Sequence, residues 1–143
     1  MKNNENSTII HASCVSIKGE AVLIMGDSGS GKSDLALRFI DEGATLVSDD
    51  YVQIALNGKD LLANPAPNIS GLLEVRGIGL LSLPFISNIA IKLVVNLVNH
   101  EQIERMPEPK FFSCLEQEVP LLSLNSFDAS ATAKIRLALS KIE

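Results

Sequence analysis

"GDSGSGKS", residues 26–33, follows the apolar run "AVLIM" (21–25) and precedes Leu35, Ala36, Phe39 and Ile40 at helical spacing. The octet matches G-x-x-x-x-G-K-[ST] at every specified position, and a strand-to-helix junction is where that pattern works. Glycines at 26, 29 and 31 allow the backbone to turn its N–H groups inward, and the helix N-terminus adds partial positive charge. Lys32 is placed to reach β- and γ-phosphates, and Ser33 supplies a hydroxyl to Mg²⁺. A turn that only joined a strand to a helix would need neither the lysine nor three glycines. Gly26, Asp27, Ser28, Gly29, Ser30, Gly31, Lys32 and Ser33 are therefore the expected nucleotide-binding residues.

Outward from the octet, "SCVSI" (13–17) and "AVLIM" (21–25) read as two strands around a turn at Lys18-Gly19-Glu20. The helix from Ser33 closes at Gly43, a good C-terminal stop. "TLVS" (45–48) returns to strand character and "YVQIAL" (51–56) continues it, with Asn57-Gly58 as a hairpin signal before "DLLA" (60–63). "ISNIAIKLVVNLV" alternates Ile89, Ile91, Leu93, Val95 and Leu97 against Ala90, Val94 and Val98, as expected of a central strand covered on both faces. "VPLLSL" (119–124) reads as a last strand. "DASATAKIRLALSKIE" places Ala131, Ile135, Ala138 and Ile142 on one helical face, with Asp128 or Ser130 as N-cap. "NPAPN" (64–68) and "MPEPK" (106–110) read as loops.

Bulk properties narrow the function classes. At 143 residues, 46% hydrophobic, the chain has the length of one domain, taken as 1–143 with residues 1–7 disordered. Seventeen acidic against 12 basic residues leave a net charge of −5, so nucleic acid and anionic membranes are poor partners. The opening "MKNNENS" has no apolar segment behind it, and residues 89–98 are interrupted by Lys92 and Asn96, which together point to a soluble, cytoplasmic protein. Cys14 and Cys114 lie in no CxxC pattern and read as reduced thiols.

"TLVSDDY" (45–51) sets Asp49 and Asp50 side by side, 17 and 18 positions after Lys32. A strand, a helix and a second strand parallel to the first would bring these acids to the sheet edge that carries the octet. Neighbouring side chains on an extended chain point to opposite faces, so the two acids should differ in role unless the backbone bends between them. An apolar run ending in Asp is also a magnesium-holding pattern, although turns use Asp as well. Glu74, in "LLEVRGIGLL" (72–81), is a further carboxylate, in a stretch that reads equally as a functional loop or as an exposed Glu/Arg pair before a turn.

Taken together, "HASCVSIKGEAVLIMGDSGSGKS", "LVSDDYV" and "LLEVRGIGLL", in this order and spacing, resemble the catalytic domain of HPr kinase/phosphorylase over residues from about 11 to 97. The resemblance implies an α/β P-loop kinase fold of the phosphoenolpyruvate carboxykinase type, a mixed β-sheet with flanking helices. It also implies use of ATP and Mg²⁺ to phosphorylate a serine of HPr, a small phosphocarrier of the sugar phosphotransferase system, with reversal by inorganic phosphate.

By the same resemblance Lys32 binds phosphate, Ser33 and Glu74 hold Mg²⁺ with Asp49 as a further metal-side acid, and Asp50 takes the proton of the substrate serine. His11 matches an active-site histidine and Arg105 a phosphate-contacting arginine, while Arg76 lies in the family's signature segment. A homo-oligomer, a hexamer, is implied, and the chain reads as a short form without the additional N-terminal domain that many members carry. Two departures stand out: that missing domain, and "LNSFDASAT" (124–132) where the family has a loop resembling "PVxxGRN", which leaves the reverse reaction less supported than the kinase direction. Two other readings compete, another small P-loop kinase and a non-catalytic nucleotide-sensing module. The scatter of Arg38, Arg76, Arg105 and Arg136 speaks against an arginine-rich lid, and Asp50 beside the octet speaks against a sensor. His100 reads as a solvated loop residue.

Overall fold

The computed structural model describes residues 6–142. Among them, strands β1 (Ser7–His11), β2 (Ser13–Ile17), β3 (Glu20–Gly26), β4 (Thr45–Ser48), β5 (Tyr51–Asn57), β6 (Asp60–Pro65), β9 (Ile89–Leu97), β10 (Lys110–Cys114) and β11 (Gln117–Leu124) join one mixed sheet. β7 (Leu72–Val75) and β8 (Gly79–Ser82) form a separate hairpin, and the helices are α1 (Lys32–Asp41) and α2 (Ala131–Ser140). The main strand order is β1-β5-β6-β9-β3-β2-β4, with β11 and β10 branching from β9. β3 and β11 run parallel to β9, and β4, antiparallel to β2 as β3 is, shares their direction.

Both faces of the sheet are covered. α1 and α2 bury Leu35, Phe39, Ile135 and Leu139 against Val22, Ile24, Leu93 and Val95 on one face. On the other face, Val52, Ile54, Leu61 and Ala63 of β5 and β6 pack with Leu23, Val47 and Val94. The α1 side extends to the β7–β8 hairpin, where Leu73 and Val75 bury against Leu46.

The strands read from the sequence form, with differences that have local causes. The segment 45–56 is two strands, because the chain turns at Asp49-Asp50 and β5 leaves β2 to pair with β1. β1 precedes the first strand expected and ends on His11; Ser7 opens it, while residues 1–5 of the stretch expected to be disordered lie outside the described residues. β9 is central, but its register shifts between Ile91 and Leu93, so Ile89 and Ile91 face the same cluster as Val94 instead of that of Leu93, Val95 and Leu97. The β5–β6 turn falls on Gly58-Lys59, one residue later than the Asn57-Gly58 signal, with Asn57 opposite Asp60 and Gly58 at φ 65°. "LLEVRGIGLL" is a hairpin rather than a loop. β10 carried no sequence signal.

Candidate active site

Four parallel strands end at one edge of the sheet, β3 at Gly26, β4 at Ser48, β9 at Leu97 and β11 at Leu124. The loops beyond them make the site, as expected at the carboxyl ends of strands in α/β sheets. The 26–31 loop is packed from behind. A Cβ on Gly26 would stand 2.6 Å from Ser30 Oγ and 3.1 Å from the Leu97 carbonyl, and one on Gly31, at φ 96°, would overlap Ser126 Oγ. Both positions require glycine. Gly31 caps α1 without a side-chain hydrogen bond, so the first-turn amides of the helix keep the donor capacity that suits an anion. Ser30 Oγ is buried without a partner, a further free polar group in the cradle.

Lys32 is buried, and its ammonium donates to the carbonyls of Gly26 at 2.8 Å and Asp27 at 3.2 Å. A lysine held across the start of the loop keeps its charge inside the cradle. Ser33 Oγ lies 2.9 Å from each carboxylate oxygen of Asp49, a buried acid that also accepts from Ser13 Oγ at 2.6 Å. Hydroxyl and carboxylate together form an oxygen pair of the kind that suits Mg²⁺. The cradle and this pair therefore fit a magnesium-bound nucleotide phosphate.

Asp50 is turned away from that pair. The Tyr51 N–H donates to the Asp49 carbonyl at 2.8 Å, which closes a three-residue turn around Asp50 at φ 70°. Ser48 Oγ donates to the Tyr51 carbonyl at 2.5 Å, and the Ala12 N–H donates to the Asp50 carbonyl at 3.1 Å. The bend sends the exposed Asp50 carboxylate to His11 Nε2 at 3.2 Å, and the His11 ring lies 5.2 Å from that of Tyr51, its register partner. The two acids thus have separate surroundings, Asp49 against the helix start and Asp50 against His11.

Not every expected residue joins them. Glu74 is exposed on β7, and no hydrogen bond or ion pair links it to Ser33 or Asp49; among the described residues no three His, Cys, Asp or Glu side chains gather at metal-binding distance. Arg105 is exposed in the connection between the 3-10 turn His100–Gln102 and β10. His100 is exposed, as expected of a solvated loop residue, with its Nε2 3.3 Å from Asp128, which also pairs with Lys134.

Sequence reasoning missed Ser13 and Ser48, because a serine in a strand carries no signal of its partner. It also missed the turn 125–128, where Ser126 Oγ donates to the Ser30 carbonyl at 2.6 Å and Arg38 donates to the Ser126 carbonyl. With Gly26–Ser30, the segment 96–99 and Gln102, Asn125 and Phe127 of that turn line a cleft of about 420 Å³. The only hint in the sequence was the departure of 124–132 from the expected loop.

The family described as HPr Serine kinase C-terminal domain matches residues 3–135. A curated HPr kinase/phosphorylase of Exiguobacterium sp. is 38% identical over 129 residues, covering 82% of this chain and 42% of the relative. One of Ralstonia pickettii is 43% identical over 108 residues, covering 68% of this chain and 33% of the relative. The chain thus spans well under half the length of these curated relatives. The solved HPr(Ser) kinase/phosphatase of Coxiella burnetii superposes with a TM-score of 0.81 over 94% of this chain and 88% of that one, at 23% identity, a likeness of fold. With the match running through the 26–31 loop, the paired acids, α1 and the first half of α2, the chain belongs to the HPr serine kinase C-terminal domain family.

Proposed function

We propose that this chain is a catalytic domain that transfers the γ-phosphoryl group of magnesium-bound ATP to a serine hydroxyl of HPr or an HPr-like phosphocarrier. The observation that carries the reading is the separation of the paired acids, Asp49 on Ser33 at the helix start and Asp50 on His11 at the open edge. Phosphoryl transfer asks for those two environments: oxygen ligands beside the phosphates, and a base free to meet an incoming hydroxyl.

In this reading the loop amides and Lys32 bind and orient the phosphates. Ser33 and Asp49 hold Mg²⁺, which when bound neutralises charge on the transferring group. Asp50 accepts the serine proton as the hydroxyl attacks phosphorus and the bond to the leaving ADP oxygen breaks, and in the reverse direction it returns that proton. His11 positions the Asp50 carboxylate. Glu74 and Arg105 keep the roles that the resemblance implies, metal ligand and phosphate contact. Residues 1–143 act as one catalytic unit, and the net charge of −5 favours a carrier protein over nucleic acid as partner. Cytoplasmic location and assembly into a homo-oligomer, a hexamer, belong to the same reading; among the described residues no helix is long and apolar enough to cross a membrane.

The test is incubation with labelled MgATP and purified HPr, wild type against Asp50→Asn. Wild type is expected to place label on serine, and Asp50→Asn to keep ATP binding while transfer falls at least about a hundredfold, the scale of general-base removal. Labelling that survives the substitution would remove Asp50 from its role. ATP binding by wild type without any labelling would favour the nucleotide-sensing module.

A further inference from the structure

Phe127 is 70% exposed, yet the turn that presents it is fastened on several sides. Ser126 Oγ donates to the Ser30 carbonyl at 2.6 Å and Arg38 to the Ser126 carbonyl, while Asn125 donates to the Val98 carbonyl at 3.1 Å and accepts the Phe127 N–H at 2.9 Å. Position 127 is therefore anchored to the phosphate loop and to the end of β9 at once. A Cβ on Gly31 would lie 3.4 Å from Phe127 Cζ, so the ring stands against the start of α1, and it lines the same cleft as Val98, Asn99 and Gln102. A large apolar ring presented to water from an anchored turn has forgone burial that would stabilise the fold.

Topology states which part of a ligand the ring would meet. β3 carries the phosphate loop; the acids follow β4, two strands away on one side, whereas the Phe127 turn and the 98–102 segment follow β11 and β9 on the other. With transfer on the Asp50 side, the non-reacting part of a nucleotide extends toward the β9 side. A cleft of about 420 Å³ beside the phosphate loop falls in the range of small-molecule sites.

We infer that Phe127 is the stacking platform for the nucleobase, on a turn that Ser126 and Arg38 lock to the phosphate loop. The inference rests on the nucleotide-binding reading above and adds to it the contact that distinguishes a nucleoside triphosphate from bare polyphosphate. Base–aromatic stacking uses the π-face that every base has, so one exposed ring suffices.

Equilibrium binding of MgATP and of magnesium tripolyphosphate to wild type, Phe127→Ala and Phe127→Trp tests it. Phe127→Ala is expected to weaken ATP about tenfold and leave tripolyphosphate within about twofold, from the usual strength of such stacking. Phe127→Trp is expected to keep ATP binding; because the chain has no tryptophan, its emission reports the site alone and should change with ATP but not with tripolyphosphate. Unchanged ATP affinity in Phe127→Ala, or an equal loss for both ligands, overturns the stacking role while leaving nucleotide binding standing. Wild type that binds tripolyphosphate no more weakly than ATP also overturns it, and wild type that binds neither overturns the nucleotide reading beneath it.

Discussion

Asp50 pays for its position with backbone strain. It sits at φ 70° inside a three-residue turn, a conformation that side-chain-bearing residues other than Asn and Asp rarely hold. Strain of this kind persists where surrounding bonds over-determine it, and here Ser48 Oγ on the Tyr51 carbonyl and the Ala12 N–H on the Asp50 carbonyl do so. The sequence showed two adjacent acids whose roles should differ; the difference comes from this turn and not from strand alternation. Asn tolerates positive φ at least as well as Asp, while Ala does not. Asp50→Asn should therefore unfold in urea within about 0.5 kcal/mol of wild type, and Asp50→Ala should be less stable by about 1–2 kcal/mol. Equal midpoints for the two variants would mean that the turn relaxes at no cost. The comparison also guards the transfer assay, since equal stability of Asp50→Asn and wild type would show that the substitution removes the carboxylate charge without removing the turn.

Among the elements, those with strong local chemistry were readable in advance. The β2–β3 hairpin has Lys18-Gly19 at its turn, α1 follows its apolar stripe, and β4 ends on the acids as its composition suggests. β10 and the β10–β11 hairpin were not readable, for a specific reason. Their two-residue turn is Leu115-Glu116, both in the left-handed region at φ 47° and φ 65°, without the Asn or Gly that normally announces such a turn. Leu115 stays there because its side chain packs against the core cluster that includes Val119. Glu116 is exposed and has no such compensation. Glu116→Gly is accordingly expected to stabilise the protein by about 1 kcal/mol, seen as a higher urea midpoint with an unchanged slope. A lower midpoint would show that the entropy glycine adds to the unfolded chain outweighs the relief of strain.

At the scale of the whole molecule, the site is assembled by four loops that are far apart in sequence and meet because β3, β4, β9 and β11 point the same way. The octet and the acids could be placed at that edge from the sequence, since one short crossover joins them. The 125–128 turn could not, because its position depends on β11 pairing with β9 across a long connection. The two thiols probe how the assembly holds together. Cys14 lies in β2 between β3 and β4, fully buried, and burial pushes its thiol far above the ordinary value. Cys114 ends β10, half-buried at the far side of the branch from β9, and is raised by burial as well. A neutral, fully buried thiol does not attack a disulfide reagent, so Cys14 should react at neutral pH only through opening, while the partly exposed Cys114 is reached from solvent or by local opening of its hairpin. Opening of a peripheral hairpin requires less free energy than opening the centre of the sheet. With a thiol-reactive disulfide in excess, one cysteine should label quickly and one at the slow rate of global unfolding, the fast phase vanishing in Cys114→Ala. In urea both should react at once. Two equal slow phases in the native protein would mean that Cys114 is shielded in the native state and that the β10–β11 hairpin unfolds only with the sheet.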